Sequence, residues 1–145
     1  MVKHMLINYN SKELDLMARL MRAEAVGEGN LGMLMIGNVI INRCIANCYT
    51  FKDIRTIYDV VYQKPGGFSG VNSSLFYGSS TEKEKSLAKR CIKGEYYYPA
   101  THALWFYAPS KGKSCDKTFY SQPLAGKYKS HCFYKPSAGN CNEIY

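Results

Sequence analysis

The chain is short of the residues on which several enzyme classes depend. Its 145 residues include one tryptophan, 11 acidic residues and 3 histidines, His4, His102 and His131. So few histidines do not supply the ligands of a His-rich zinc hydrolase. The G-x-x-x-x-G-K-[ST] phosphate loop is missing, and no G-x-G-x-x-G follows a strand pattern. No G-x-S-x-G nucleophile elbow occurs. Long apolar runs are missing as well. The longest, Ala103 to Ala108, is far short of the roughly 20 residues that a membrane span needs. The opening residues, Met1 to Asn8, carry one lysine and no apolar stretch of roughly 7–15 residues, so an ordinary secretory signal is not expected.

What is there describes one globular domain. Hydrophobic residues make up 46% and charged residues 21%, which excludes collagen-like, low-complexity and disordered chains. The balance of 19 Lys+Arg against 11 Asp+Glu leaves a net charge of +8. Such a charge favours an anionic partner: nucleic acid, a membrane surface or a wall polymer. No zinc-finger spacing, zipper or RNA-binding aromatic signature accompanies it, so nucleic acid is not expected. Aromatic residues reach 14%, with 13 Tyr and 6 Phe. Most belong to a core, and a minority suit a platform for sugar rings.

Six cysteines, Cys44, Cys48, Cys91, Cys115, Cys132 and Cys141, allow roughly 15 pairings, and their spacing selects none. A chain made in a reducing cytoplasm is expected to keep free thiols. Cys115, His131, Cys132 and Cys141 form one grouping with zinc-ligating chemistry, but buried thiols are the preferred reading and no metal or cofactor is expected. A nucleophilic Cys132–His131 pair fails, because neighbours on a strand point to opposite faces. Cys91 or Cys115 with His131 stays open.

Asn10 with Glu13 predicts a capping box and a helix over Ser11 to Val26, after a flexible arm over residues 1–10. Gly27 and Gly29 stop that helix. A second helix, Leu31 to Asn47, is apolar over so wide an arc that it reads as the buried centre. Gly32 and Gly37 within it point to a close crossing against the first helix. A third, shorter helix falls within Thr50 to Gln63, and a fourth opens at Thr81 with Glu84 as capping partner and stops at Gly94. The pattern then turns strand-like over Ala103 to Ala108, Phe119 to Ser121 and Lys127 to Tyr134. Ser110 to Lys117 and the tail after Pro136 read as loops. The expected class is α+β: four helices followed by a small antiparallel sheet, in a single domain over residues 11–145.

Glu24 is the first candidate for chemistry. It falls on the apolar side of the first helix, in the last turn, where the helix dipole opposes a negative charge. Burial and the dipole both raise a carboxyl pKa, as a general acid near neutral pH requires. The competing reading is a Glu24 merely satisfied by a neighbouring arginine such as Arg43.

Several segments resemble a known family. Met17-Ala18-Arg19-Leu20-Met21-Arg22-Ala23-Glu24-Ala25-Val26-Gly27-Glu28 is similar to the A-R-L-x-x-A-E-A-x-G-E signature of the SleB/CwlJ cell wall hydrolases. Gly32-Met33 with Gly37-Asn38-Val39 and Asn42-Arg43 resembles that family's second helix. Val60-Val61-Tyr62-Gln63, Pro65 and Phe68-Ser69 look like its V-I-Y-Q-P…F element. Leu104 to Tyr107, Tyr120 to Pro123 and Lys129 to Tyr134 continue in the same order. The resemblance runs from about Leu14 to the C-terminus and looks closest to CwlJ-type spore cortex-lytic enzymes.

The resemblance implies a lysozyme-like or lytic-transglycosylase-like fold and an enzyme acting on spore cortex peptidoglycan in germination. It implies synthesis in the mother-cell cytoplasm without a signal peptide, deposition at the coat–cortex boundary, and a spore coat anchoring protein as a further partner. Glu24 matches the catalytic glutamate, protonating the glycosidic oxygen between N-acetylmuramic acid (or muramic-δ-lactam) and N-acetylglucosamine. A hydrolase needs a second carboxylate, and Glu28, Asp53 and Asp59 are the candidates. A lytic transglycosylase needs none, and the lack of a second motif carboxylate tilts the reading that way. Glu28, Gln63, Phe68, Ser69, Trp105, Tyr107, Tyr120, Ser121 and His131 are the candidate substrate-binding residues. An N-acetylmuramoyl-L-alanine amidase and a non-enzymatic cortex-binding coat protein are the alternatives.

Overall fold

Asn10 opens the first helix through the reciprocal box: its side chain accepts the Glu13 N–H, and the Glu13 carboxylate accepts the Asn10 N–H. The computed structural model describes residues 6–145. In it, α1 runs Ser11–Ala25 and buries Met17, Ala18, Leu20 and Met21 along one face. A single 3-10 turn, Val26–Glu28, separates it from α2, Gly29–Ile45. Gly29 makes that change of direction with φ +80°. Helix α2 is buried without a break from Gly32 to Cys44, so it forms the centre of the molecule. A Cβ on Gly37 would lie 2.5 Å from Cys91 Sγ and 3.1 Å from Met21 Cε, so both α1 and the fourth helix press on this point.

The third helix is shorter than its window. Tyr49–Phe51 is a 3-10 turn, and α3 covers Ile57–Val61. Between them Arg55 donates to the Cys44 and Ala46 carbonyls at the end of α2, which holds residues 52–56 in a turn. Helix α4, Glu82–Ile92, has the Thr81–Glu84 capping box. Three long helices and one short one therefore make the helical layer. Of the arm expected over residues 1–10, residues 1–5 lie outside the described residues. Leu6 donates its N–H to the Ile92 carbonyl, and Ile7 and Tyr9 pack on the core.

The sheet holds β1 Trp105–Tyr107, β2 Thr118–Phe119, β3 Gln122–Tyr128 and β4 His131–Tyr134, in the order β1-β4-β3-β2 and antiparallel throughout. Two expectations change here. The stretch Lys127 to Tyr134 is not one strand but a hairpin, with Lys129 at φ +48° in its turn. Tyr120 and Ser121 do not extend β2. Both have positive φ, +51° and +63°, the sign that a two-residue hairpin turn demands, so they reverse the chain into β3. Alternation along β4 divides the interior. Phe133 joins the helical core, while Cys132 and Tyr134 join a second core with Phe51, Trp105 and Ile144.

Buried asparagines fasten sheet to helices. Asn38 donates to the Glu95 carbonyl and accepts the Tyr97 N–H, and Asn42 donates to the Ala103 carbonyl at 2.9 Å. On the outer side of α1, Arg19 holds the Phe76 carbonyl, and Arg22 holds those of Leu75, Tyr77 and Gly78.

The cysteines depart from the free-thiol expectation. Cys48 pairs with Cys141 and Cys115 with Cys132, while Cys44 and Cys91 remain reduced and buried. Pairing was illegible because it depends on strands and loops meeting far apart in sequence. It also dissolves the grouping of Cys115, His131, Cys132 and Cys141. A Cys–His nucleophile pair goes with it: Cys115 is bonded, and burial pushes the Cys91 thiol up to about 12.

Candidate active site

Glu24 sits in the last turn of α1, and its Oε2 accepts the Gly70 N–H at 2.6 Å. Gly70 belongs to a 3-10 turn, Ser69–Asn72, that crosses the end of the helix. A Cβ at this position would lie 2.5 Å from Glu24 Oε2 and 3.0 Å from its Cδ, so the close approach requires glycine. Glu24 Oε1 makes no hydrogen bond among the described residues. Burial raises the Glu24 carboxyl above its ordinary value, against the Gly70 hydrogen bond and the charges of His131 and Arg43. That direction keeps a proton available nearer neutral pH.

The carboxyl opens into a cavity of about 400 Å³ lined with Glu24 by Phe68, Ser69, Trp105, Tyr107, Tyr120 and His131. Seven of the ten candidate residues therefore meet in one place, drawn from α1, the loop after α3, β1, β4 and the β2–β3 turn. Gln63, Ser121 and Glu28 do not line it. Gln63 is buried behind the wall and accepts from Arg43 at 3.4 Å. Ser121 is exposed on the far side of the turn.

Glu28 acts one layer back. Its Oε1 lies 2.7 Å from His131 Nδ1, and its Oε2 accepts from the Ser130 N–H and hydroxyl. Although burial pushes the Glu28 carboxyl upward, the bonds from Ser130 and His131 prevail and hold it below its ordinary value. A carboxylate on Nδ1 fixes the imidazole ring. The arrangement places a buried His131 against the cavity, with Phe106 edge-on at 5.3 Å.

Arg43 was weighed only as a partner for Glu24, and no ion pair joins them among the described residues. Its guanidinium lies over the Phe68 ring at 4.4 Å and the Phe51 ring at 5.1 Å. Nε donates to the Leu104 carbonyl, and Nη1 to the Gly66 carbonyl. Burial lowers Arg43 to about 10, opposed by Glu24 and Tyr120, so it stays charged at neutral pH. Its place on α2 lining the cavity was invisible to spacing, because it depends on the loop over residues 63–68 folding back. Gly66, Gly67, Phe106, Ala108 and Phe119 also line the cavity without having been singled out. Phe106 and Ala108 flank predicted residues on β1, which is the one signal that pointed to them.

This is the architecture and site of a bacterial wall-degrading enzyme: the chain belongs to the cell wall hydrolase family, whose model matches residues 27–134. Glu24 lies three residues before the matched span. Over 139 residues the chain is 48% identical to the cell wall hydrolase CwlJ of Oceanobacillus iheyensis, covering 96% of this chain and 97% of that protein. The CwlJ of Bacillus subtilis is 46% identical, with 96% of each chain covered. The spore cortex-lytic enzyme of Bacillus cereus is 27% identical, and the match covers 88% of this chain but 46% of that protein. The fold is shared with the catalytic domain of the Bacillus cereus SleB protein, at TM-score 0.71 and 24% identity over 91% of this chain and 98% of that one. The catalytic domain of the germination-specific lytic transglycosylase SleB from Bacillus anthracis gives 0.69 at 25% identity, covering 88% of this chain and 98% of that one.

Proposed function

We propose that this protein cleaves the glycan strand of spore cortex peptidoglycan during germination, with Glu24 as acid and then base. The observation that carries the reading is the Glu24 carboxyl: raised by burial, held on Oε2 by Gly70, and open to the cavity on its other side. Glu24 protonates the oxygen between N-acetylmuramic acid (or muramic-δ-lactam) and N-acetylglucosamine, and the C1–O bond breaks through an oxocarbenium-like state. The Glu24 carboxylate then takes the proton of the sugar's own 6-hydroxyl, whose oxygen closes on C1. The product is a 1,6-anhydro sugar, no water is consumed, and Glu24 regains its proton.

The transglycosylase course is favoured over hydrolysis because, among the described residues, no second carboxylate lines the cavity. Glu28 is occupied by Ser130 and His131. The amidase reading has less support. The described metal-ligating group is Cys48, Cys141 and Glu143, and its two cysteines are joined to each other. Relatives named as spore cortex-lytic enzymes support the cortex as the substrate. Two disulfides favour an oxidising final location, which suits deposition at the coat–cortex boundary.

The test is Glu24→Gln on purified cortex, followed by mass spectrometry. Loss of muropeptide release by about 10²–10⁴-fold in a folded variant is expected, with anhydromuramic ends formed by the unaltered protein. Full activity of Glu24→Gln ends the proposal. New reducing ends in place of anhydro ends redirect it to a muramidase, and released peptide stems to an amidase.

A further inference from the structure

Past Trp105 the Glu24 cavity continues into a second cavity of about 310 Å³. Gly66, Trp105 and Tyr120 line both, so the two form one groove. The remaining walls of the second are Tyr49, Thr50, Phe51, Pro65 and Gln122. None of these side chains is charged, whereas the first cavity holds Glu24, Arg43 and His131.

Tyr49 and Tyr120 rim the second cavity and are 41% and 65% exposed. Neither is a glycine, yet both have positive φ, +53° and +51°. The fold therefore holds two strained tyrosines at the mouth of one cavity. The Tyr49 hydroxyl donates to Gln122 Oε1 at 3.3 Å, and its ring meets Trp105 edge-on at 5.7 Å. Rings with one open face and an anchored hydroxyl suit the apolar face of a pyranose. The volume falls at the small end of the roughly 300–1,000 Å³ range of ligand pockets, which fits one sugar ring.

We propose that this second cavity is a neighbouring sugar subsite that takes an uncharged N-acetylhexosamine of the strand whose acid-bearing sugar occupies the Glu24 cavity. The inference rests on the glycan-cleaving reading. The charged cavity suits a residue carrying a lactyl carboxylate or lactam, and the neutral aromatic one suits N-acetylglucosamine. Tyr49 touches the sugar in this subsite and belongs to no other cavity of the groove.

Trp105 is the single tryptophan of the chain and lines both cavities, so its fluorescence reports on occupancy. The experiment titrates chitotriose, an N-acetylglucosamine trimer, into the Glu24→Gln protein. A saturable change in Trp105 emission is expected. Tyr49→Ala in the same background weakens binding about tenfold, and Tyr49→Phe, which keeps the ring, changes it less than about twofold. Independently of any change at Tyr49, the amide NMR signals of Thr50, Phe51 and Gln122 shift on titration. Unchanged affinity in Tyr49→Ala overturns the subsite, as does silence of those amides while Trp105 responds. If Tyr49→Ala does not fold, the amide shifts decide alone. Failure of the glycan-cleaving reading shows separately, as retained cortex cleavage by Glu24→Gln, and does not depend on the binding result.

Discussion

Glu24 and Glu28 lie one helical turn apart in sequence, and their surroundings drive them in opposite directions. Glu24 receives one backbone hydrogen bond and burial wins, while Glu28 receives several from Ser130 and His131 and they win over burial. A carboxyl lowered on folding contributes stability above its ordinary pKa, and that contribution is lost as pH falls through the lowered value. Glu28→Gln is therefore expected to cost about 1–3 kcal/mol at pH 7, a difference that shrinks in acid as the native carboxyl takes up its proton. Urea unfolding at pH 7 and pH 3.5 checks this, and an equal cost at both pH values contradicts it. Gly70→Ala forces a methyl group into Glu24 Oε2. Overpacking of this kind costs about 1–3 kcal/mol, and at least a tenfold fall in cortex cleavage is expected because the carboxyl is displaced. Unchanged turnover would mean that the Gly70 contact does not position the acid.

At the scale of elements, two covalent ties set the sheet against the helices. Cys115–Cys132 closes a separation of 17 residues and fastens the loop after β1 onto β4, next to His131. Cys48–Cys141 spans 93 residues and joins the end of the α2 region to the C-terminal tail. Loop-closure arguments assign about 3 kcal/mol to the shorter loop and about 4–5 kcal/mol to the longer. Replacing Cys48 and Cys141 by serine is expected to lower the urea midpoint more than replacing Cys115 and Cys132. Activity should fall more in the second pair, whose loop adjoins the cavity wall. Equal midpoints in both variants would count against the loop-length account. The hairpin was misread at this scale for a physical reason. Lys129-Ser130 and Tyr120-Ser121 are turns without the Asn-Gly or Asp-Gly chemistry that marks such turns in a sequence. Glu28, reaching from the α1–α2 turn to Ser130, compensates for the missing turn residues.

Across the whole molecule, a net charge of +8 meets a wall polymer whose peptide stems carry carboxylates. Attraction between exposed charges is screened as the Debye length shrinks from about 10 Å at 0.1 M salt to about 3 Å at 1 M. Co-sedimentation with cortex should therefore weaken several-fold across that range, while cleavage of short uncharged glycan fragments changes less than about twofold. Salt-insensitive sedimentation would remove charge from the account of binding.

Helix positions were legible because each rests on local signals: the Asn10–Glu13 and Thr81–Glu84 boxes, and the apolar stripes of α1 and α2. Glu24 was legible for the same reason, since apolar periodicity and the end of a helix are both local. Gly37 announced a crossing, although not that α4 shares it. The class of fold and the acid were thus determined by the chain read residue by residue. Only the tertiary structure decided what surrounds the acid. Gly70 caps Glu24 from 46 positions away, and Glu28 turns from a candidate acid into the support of His131 across 103. Arg43 reaches the cavity between two rings, and four cysteines find their partners. Each of these depends on segments far apart in sequence arriving at one point, which periodicity, working within a few turns of chain, does not encode.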